Sequence, residues 1–467
     1  AVASAALVAL AAGLSTAAYT FLSIALLAIL AFIYALHAGT RAMRTILIAV
    51  IVVAPLRGAL LALADSIDLP NTYLMFNAIQ PTLIAACAAA VLVAHRSLLK
   101  DEPPLLLVGW AAIAVICLLD FGTQTVGLKL YAIGVAQYLV YPTFALLVWP
   151  LLAPGDRHRL VWALAGLGVV VAGSIFLEVW GVYFTEAVRD PHRFGGATGS
   201  YLHSAIFLGT TIVLALGLLF ADWKPRNAAI AIGAIGVMVG GVGLTYSRGG
   251  FGIAILGGLA LLIVLKGRDR ARLIGVVVAA TAVGLALSSA VGPSAGSLAS
   301  RTTSGASVQG DPGNAKRIAA MKRAINEFKG LPAKEKALGK GLASTGNAGK
   351  LTSAEPDPTE SYPLKLLVET GALGLLVIGA VLIWAVYCFG LATWKEADPI
   401  LKGVGAAGLG LSAESLIYPT LEVQVLSLTW WLLVVICLEA PATPLWDRLA
   451  ALRRPRSAPR KAPAPGD

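Results

Sequence analysis

Apolar runs close to the length of a bilayer crossing recur along the whole chain, and one long polar stretch interrupts them. The runs fall at about 44–64, 73–94, 104–121, 129–152, 159–184, 200–221, 228–245, 250–265, 273–291, 362–391, 400–416 and 423–440. Each lies near the ~20 residues that a helix needs to cross the hydrocarbon core. Residues 1–37 form one more apolar block, too long for one upright span and long enough for two short ones broken near Ser15–Thr16. Thirteen or fourteen spans are predicted, with fourteen favoured. Lipid offers no partner to a backbone polar group, so only helices or closed barrels can cross. The runs are rich in Ala, Leu, Val and Gly and lack the two-residue alternation of barrel strands, so the expected fold is an all-α polytopic membrane protein.

The polar stretch, residues 292–361, divides the helices into two groups. The expected organisation is a transmembrane unit over 1–291, a large loop over 292–361, and C-terminal transmembrane helices over 362–440. A Pro-, Ala- and Arg-rich tail over 441–467 is expected to be disordered. A loop this long exceeds what joining two helices requires, and such loops are usually functional or disordered.

Composition agrees with membrane residence. The chain is 58% hydrophobic and 13% charged, against roughly 25% charged in soluble domains. Cys87, Cys117, Cys388 and Cys437 all fall inside predicted spans without metal-ligand spacing, and are read as small core residues. The formal net charge of +11 is distributed in a way that points to membrane orientation and not to nucleic acid.

Short connections alternate between basic and charge-poor. Arg41–Arg44, His95 to Lys100, Arg157–Arg159, Lys224 with Arg226, Lys266 to Arg272, Lys395 and the C-terminal tail are basic. Asp65–Asn71, Gly122–Gly127, 185–199, Tyr246–Gly250, 292–361 and Tyr418–Glu422 are not. The positive-inside rule places the first set in the cytoplasm and the second, with the large loop, outside. A transfer reaction at that outer face has no ATP or nucleotide-sugar, and needs a substrate already activated and tethered to lipid.

Four segments at that face could carry chemistry. Arg189-Asp190-Pro191-His192-Arg193-Phe194-Gly195-Gly196 runs on to Tyr201 and His203. Tyr246-Ser247-Arg248-Gly249-Gly250 stands between two spans, and Lys316-Arg317 precedes a helix-like stretch and Gly339-Lys340-Gly341. Guanidinium binds phosphate bidentately and keeps its charge, while adjacent glycines let a bulky head group approach the backbone. Converging arginines would suit a pyrophosphate. The alternative is that each arginine snorkels to lipid phosphates. The fourth segment, Glu355 to Gly374, closes the loop and opens a span. Glu360 there is either a helix-start carboxylate favoured by the dipole or a base taking a proton from an attacking hydroxyl. Arg57, Glu414, Tyr418 and Glu422 are weaker candidates, and His203 is also explained as a core histidine. No zinc spacing, nucleophile elbow or nucleotide loop occurs, so no cofactor is expected and a metal-independent mechanism is favoured.

In order, these segments resemble the superfamily of O-antigen ligases and Wzy-type O-antigen polymerases, over roughly residues 190–390. The resemblance rests on Arg193 with its glycines, Ser247-Arg248-Gly249, Arg317 with Gly339-Lys340-Gly341, and Glu360-Ser361-Tyr362 followed by Leu367-Val368-Glu369-Thr370-Gly371-Ala372-Leu373-Gly374. It implies a glycosyltransferase C-like helical enzyme in the bacterial inner membrane, with its site facing the periplasm. The donor would be an undecaprenyl-pyrophosphate-linked glycan, transferred with inversion. Ligases typically carry histidine where Glu360 stands, and the usual Pro-Asn pair is missing around Tyr201–His203. The first departure favours a polymerase. The expected catalytic residues are Glu360, Arg193, Arg248 and Arg317. The expected substrate contacts are Arg189, Tyr201, His203, Tyr246, Lys340, Tyr362 and Lys365, with the loop acting as a lid. A flippase and a chain-length regulator are expected partners beside the lipid bilayer. A ligase and a lipid or polysaccharide transporter are the alternatives.

Overall fold

A computed structural model describes residues 16–67, 72–101, 103–122, 127–184, 193–291, 312–345 and 361–438. Among these there is no β-strand. The chain is a multi-pass helical membrane protein. Helices α1 (Thr16–Val53), α2 (Arg57–Ser66), α3 (Thr72–Ala94), α4 (Pro104–Asp120), α5 (Leu128–Leu151) and α6 (Pro154–Val179) make the first group. Helices α7 (Tyr201–Ala221), α8 (Pro225–Thr245), α9 (Arg248–Val264) and α10 (Gly267–Val291) make the second. The loop holds α11 (Pro312–Gly330) and α12 (Ala333–Leu338), and α13 (Tyr362–Lys395), α14 (Pro399–Glu414) and α15 (Gln424–Cys437) follow it.

Prolines open α4, α6, α8 and α14 at the first helical turn, where a missing N–H costs nothing. Eight helical segments of the described residues are long and apolar enough to cross a membrane. The spans expected at 104–121, 250–265 and 423–440 are shorter, with 17, 17 and 14 residues in α4, α9 and α15. At ~1.5 Å per residue α15 is only about 21 Å long. Outward apolar side chains such as Leu118, Leu376 and Ile383 are more than two-thirds exposed, as a lipid-facing surface requires. The four cysteines are buried and unbridged.

Three breaks interrupt the helices; the one at Gly39 falls between the expected runs 1–37 and 44–64, and the other two fall inside expected spans. The helix from Thr16 runs to a non-helical Gly39 (φ 62°) and continues beyond it. A 3₁₀ turn at Ala54–Leu56, containing Pro55, separates α1 from α2. The run 362–391 is not one straight helix, because Gly371 (φ 67°) splits α13 into a short first segment and a long second one.

The two kinds of connection gather at opposite ends of the bundle. Among the basic ones, Arg44 pairs with Asp156 and His158 with Asp398 at 3.0 Å. Gly39 lies against His95. Among the charge-poor ones, Lys334 Nζ donates to the Gly122 carbonyl at 3.2 Å, and the Tyr362 N–H donates to the Ser415 carbonyl at 3.0 Å.

Residues 339–345 pack as a wedge into the bundle. The Lys340 N–H donates to the Val368 carbonyl at 3.0 Å and the Gly341 N–H to the Glu369 carbonyl at 3.1 Å. These carbonyls lose their helical partners at the Gly371 break, so the loop supplies the cap that the helix lacks. Gly339 (φ 84°) approaches so closely that a Cβ there would lie 2.0 Å from the Glu369 carbonyl oxygen. Leu342 is fully buried against Gly134 of α5. A lid over 292–361 as a whole is therefore the wrong picture for this part, which is bonded to the helices it would have to leave.

Candidate functional site

The segment carrying Arg193 is held by the last turns of α6. Glu178, fully buried, accepts the Gly195 and Gly196 N–H groups on Oε2, both at 2.7 Å, and the Phe184 N–H on Oε1 at 3.3 Å. One turn earlier, Ser174 Oγ accepts the Ala197 N–H at 2.7 Å. Two successive N–H groups thus converge on one carboxylate oxygen, an anion-binding arrangement that the protein fills itself, and the third goes to the Ser174 hydroxyl. The glycines serve this docking: Gly196 has φ 56°, and a Cβ on it would lie 2.6 Å from Ser174 Oγ. The sequence expectation was that they admit a head group to the backbone; the occupied N–H groups correct it. The Arg193 guanidinium stands over the Tyr201 ring at 4.8 Å from its centroid, a cation–π distance.

The second arginine sits on a tight junction. Tyr246 takes the left-handed conformation (φ 51°) and ends α8, and Ser247 is extended. Thr245 Oγ1 accepts the Ser247 N–H at 3.2 Å, so Arg248 becomes the first residue of α9. The Phe194 N–H donates to the Leu244 carbonyl at 3.5 Å and joins the Arg193 segment to this junction. Gly249 packs on Glu414, the last residue of α14, with a notional Cβ 2.4 Å from Oε1. Arg317 of α11 lies within electrostatic reach of the same carboxylate. Arg193, Arg248 and Arg317 are therefore on segments that meet at one end of the bundle: the Arg193 segment joins the α8–α9 junction through Leu244, and the start of α9 and Arg317 both reach the buried Glu414.

His203 and Arg57 extend this group. His203 Nε2 is 3.4 Å from the Tyr418 hydroxyl. Arg57 lies within electrostatic reach of His203 and of Tyr141. The residue after it, Gly58, abuts Gly199, where a Cβ would meet the backbone nitrogen at 2.3 Å.

Lys365 is not placed to meet a substrate. It is 1% exposed, with Nζ 3.1 Å from Glu422 and 3.4 Å from Glu369. Glu369 also accepts from the Tyr138 hydroxyl at 2.9 Å, and from the Thr345 N–H and hydroxyl at 3.1 and 2.8 Å. A buried charge needs such partners, and this lysine has them inside the bundle. Beside it, a cavity of about 20 Å³ bounded by Gln137, Tyr138, Tyr362 and Ser427 has room for one water. Glu422, Glu414 and Tyr418 are buried and not solvated loop groups. Lys340 pairs with Glu327 of α11, and Tyr362 is largely buried at the start of α13. Arg189 and Glu360 lie outside the described residues. Within those described, no cluster of three or more His, Cys, Asp or Glu could hold a metal.

Sequence reasoning passed over Glu178, though a signal was present. It is a carboxylate inside the apolar run Ile175-Phe176-Leu177-Glu178-Val179, and an ionisable group at such a position marks a site by default.

Arginine-bearing turns at one end of a helical membrane bundle, followed by a long loop and a broken helix, agree with the order of motifs in the sequence. The comparison with protein families supports that order. Residues 233–379 match the family model for O-antigen ligases. The match supports a relationship of this part of the chain to the O-antigen ligase and polymerase superfamily, whose members are membrane glycosyltransferase-like enzymes. It includes Tyr246, Arg248, Arg317, Lys340, Glu360, Tyr362 and Lys365; Arg193 and its carboxylate clamp precede it. Comparison with curated proteins gives no match.

Proposed function

We propose that the protein is a glycan polymerase of the bacterial inner membrane, acting at the periplasmic end of the bundle. The observation that supports this is the gathering of Arg193, Arg248 and Arg317 on segments that meet at the α8–α9 junction and at Glu414 beside it. A hydroxyl of one lipid-linked repeat unit attacks the anomeric carbon of another lipid-linked chain. The new glycosidic C–O bond forms as the C–O bond to undecaprenyl pyrophosphate breaks, with inversion. Glu360 takes the hydroxyl proton, and the leaving pyrophosphate keeps the electron pair. Fixed guanidinium groups aimed at that growing charge are a form of electrostatic stabilisation that often dominates catalysis. Arg57, Tyr201, Tyr246 and His203 line the approach. Lys365 has an internal role in place of the substrate contact expected from its position.

The charge-poor connections share an end of the bundle with the arginines, which supports a periplasmic site. A flippase and a chain-length regulator remain the proposed partners. Glutamate in place of histidine at 360 favours polymerisation, while the description of the matching family favours a ligase passing the glycan to lipid A–core or to a protein. Purified protein incubated with undecaprenyl-pyrophosphate-linked repeat units and no other acceptor should lengthen them. Absence of longer products, with transfer restored on adding lipid A–core, would replace the polymerase by the ligase.

A further inference from the structure

Arg193 is two residues from a backbone clamp closed by a buried carboxylate. We infer that Glu178 is a positioning residue for Arg193, acting through the Gly195–Gly196 backbone; the inference rests on the role of Arg193 in holding pyrophosphate.

Three features carry it. The Glu178 carboxylate is fully buried and takes both glycine N–H groups on one oxygen at 2.7 Å. Phe194, next to Arg193, is itself buried and bonded to Leu244, so the chain is fixed on the C-terminal side of the arginine. Ser204 and Thr198 complete the turn, with Ser204 Oγ donating to the Gly195 carbonyl and lying 2.7 Å from Thr198 Oγ1. Removing the carboxylate strands two buried N–H groups, which the chain satisfies only by moving. The guanidinium stacked on Tyr201 then moves with it. Displacement of a binding group by ~1 Å can cost ~10²-fold in rate.

The role needs an acceptor at Glu178 and not a charge or a proton. A glutamine amide oxygen can still accept from both glycines, whereas alanine cannot. Glu178→Gln should therefore stay within a few-fold of wild type in kcat on lipid-linked repeats, while Glu178→Ala should fall about 10²-fold. Gly196→Ala disturbs the same turn from the other side, without touching Glu178, and should mimic Glu178→Ala if the latter does not fold. The decisive measurement is a double-mutant cycle. In an Arg193→Lys background, Glu178→Ala or Gly196→Ala should add little further loss, whereas in an Arg248→Lys background the losses should multiply. Full multiplication with Arg193→Lys, or a Glu178→Gln variant as inactive as Glu178→Ala at unchanged thermal stability, would overturn the positioning role alone. Near wild-type activity of Arg193→Lys would overturn the role of Arg193 itself, and the inference with it.

Discussion

Lys365 stands with a carboxylate on either side and almost no access to water, and such a group is stable only while its charges remain together. Lys365→Met leaves Glu369 and Glu422 buried without their cation, a change that typically costs ~3–5 kcal/mol. Thermal unfolding of the purified variant should show this loss, and adding Glu369→Gln and Glu422→Gln should recover part of it. An unchanged melting temperature for Lys365→Met would mean that the lysine is not the keystone of this cluster. The arginines call for a different test. Arg248→Lys keeps charge but loses the planar fork, so it should insert normally and lose most polymer synthesis; near-normal synthesis would remove bidentate pyrophosphate binding there. Glu360→Gln should slow transfer by roughly 10²–10⁴-fold if the carboxylate is the base. A simple helix-start role would cost about 1 kcal/mol of stability at most and spare the rate. The sequence alone singles out the arginines because a charge beside glycines at a span end is a local signal. The partners of Glu178, Lys365 and Glu369 come from remote segments, and no local pattern announces them.

At the scale of elements, hydropathy locates the helices but not their breaks. Glu369-Thr370-Gly371 puts a carboxylate and a glycine inside the apolar run 362–391, but a lone glycine in such a run does not by itself forecast a left-handed residue. The Gly371 break forms because another segment, 339–341, is there to take the carbonyls it releases. Pro55 marks a second break, inside the run 44–64 expected as one span. Gly339→Ala tests the arrangement directly, since it puts a side chain on a φ of 84° and 2.0 Å from the Glu369 carbonyl oxygen. Overpacking of this kind costs ~1–3 kcal/mol or more, so the wedge should come away from α13. A cysteine at Leu342, fully buried in the native chain, should resist a thiol reagent alone and react once Gly339→Ala is added. Equal protection in both proteins would show that the wedge tolerates the alanine.

For the whole molecule, the alternation of basic and charge-poor connections carries more information than any single helix. The contacts of Arg44 with Asp156 and His158 with Asp398 lie at one end, and the contact of Lys334 with Gly122 at the other. A cysteine at Ser307 should accordingly react with a membrane-impermeant reagent outside intact spheroplasts, and one at Ala271 should not. Labelling of Ser307 only after lysis would invert the orientation and remove the argument for a lipid-linked donor. The capping of α13 by residues 340 and 341 has a further consequence, for exchange between relatives. The polar loop and the helix after it do not separate at residue 361, where composition changes, because each supplies half of the hydrogen bonds at the Gly371 break. A chimaera that imports a foreign loop up to that boundary imports a cap cut for another helix. The unit that can be transplanted intact runs past Gly371, and any specificity carried by the loop has to travel with the first turns of the helix that follows it.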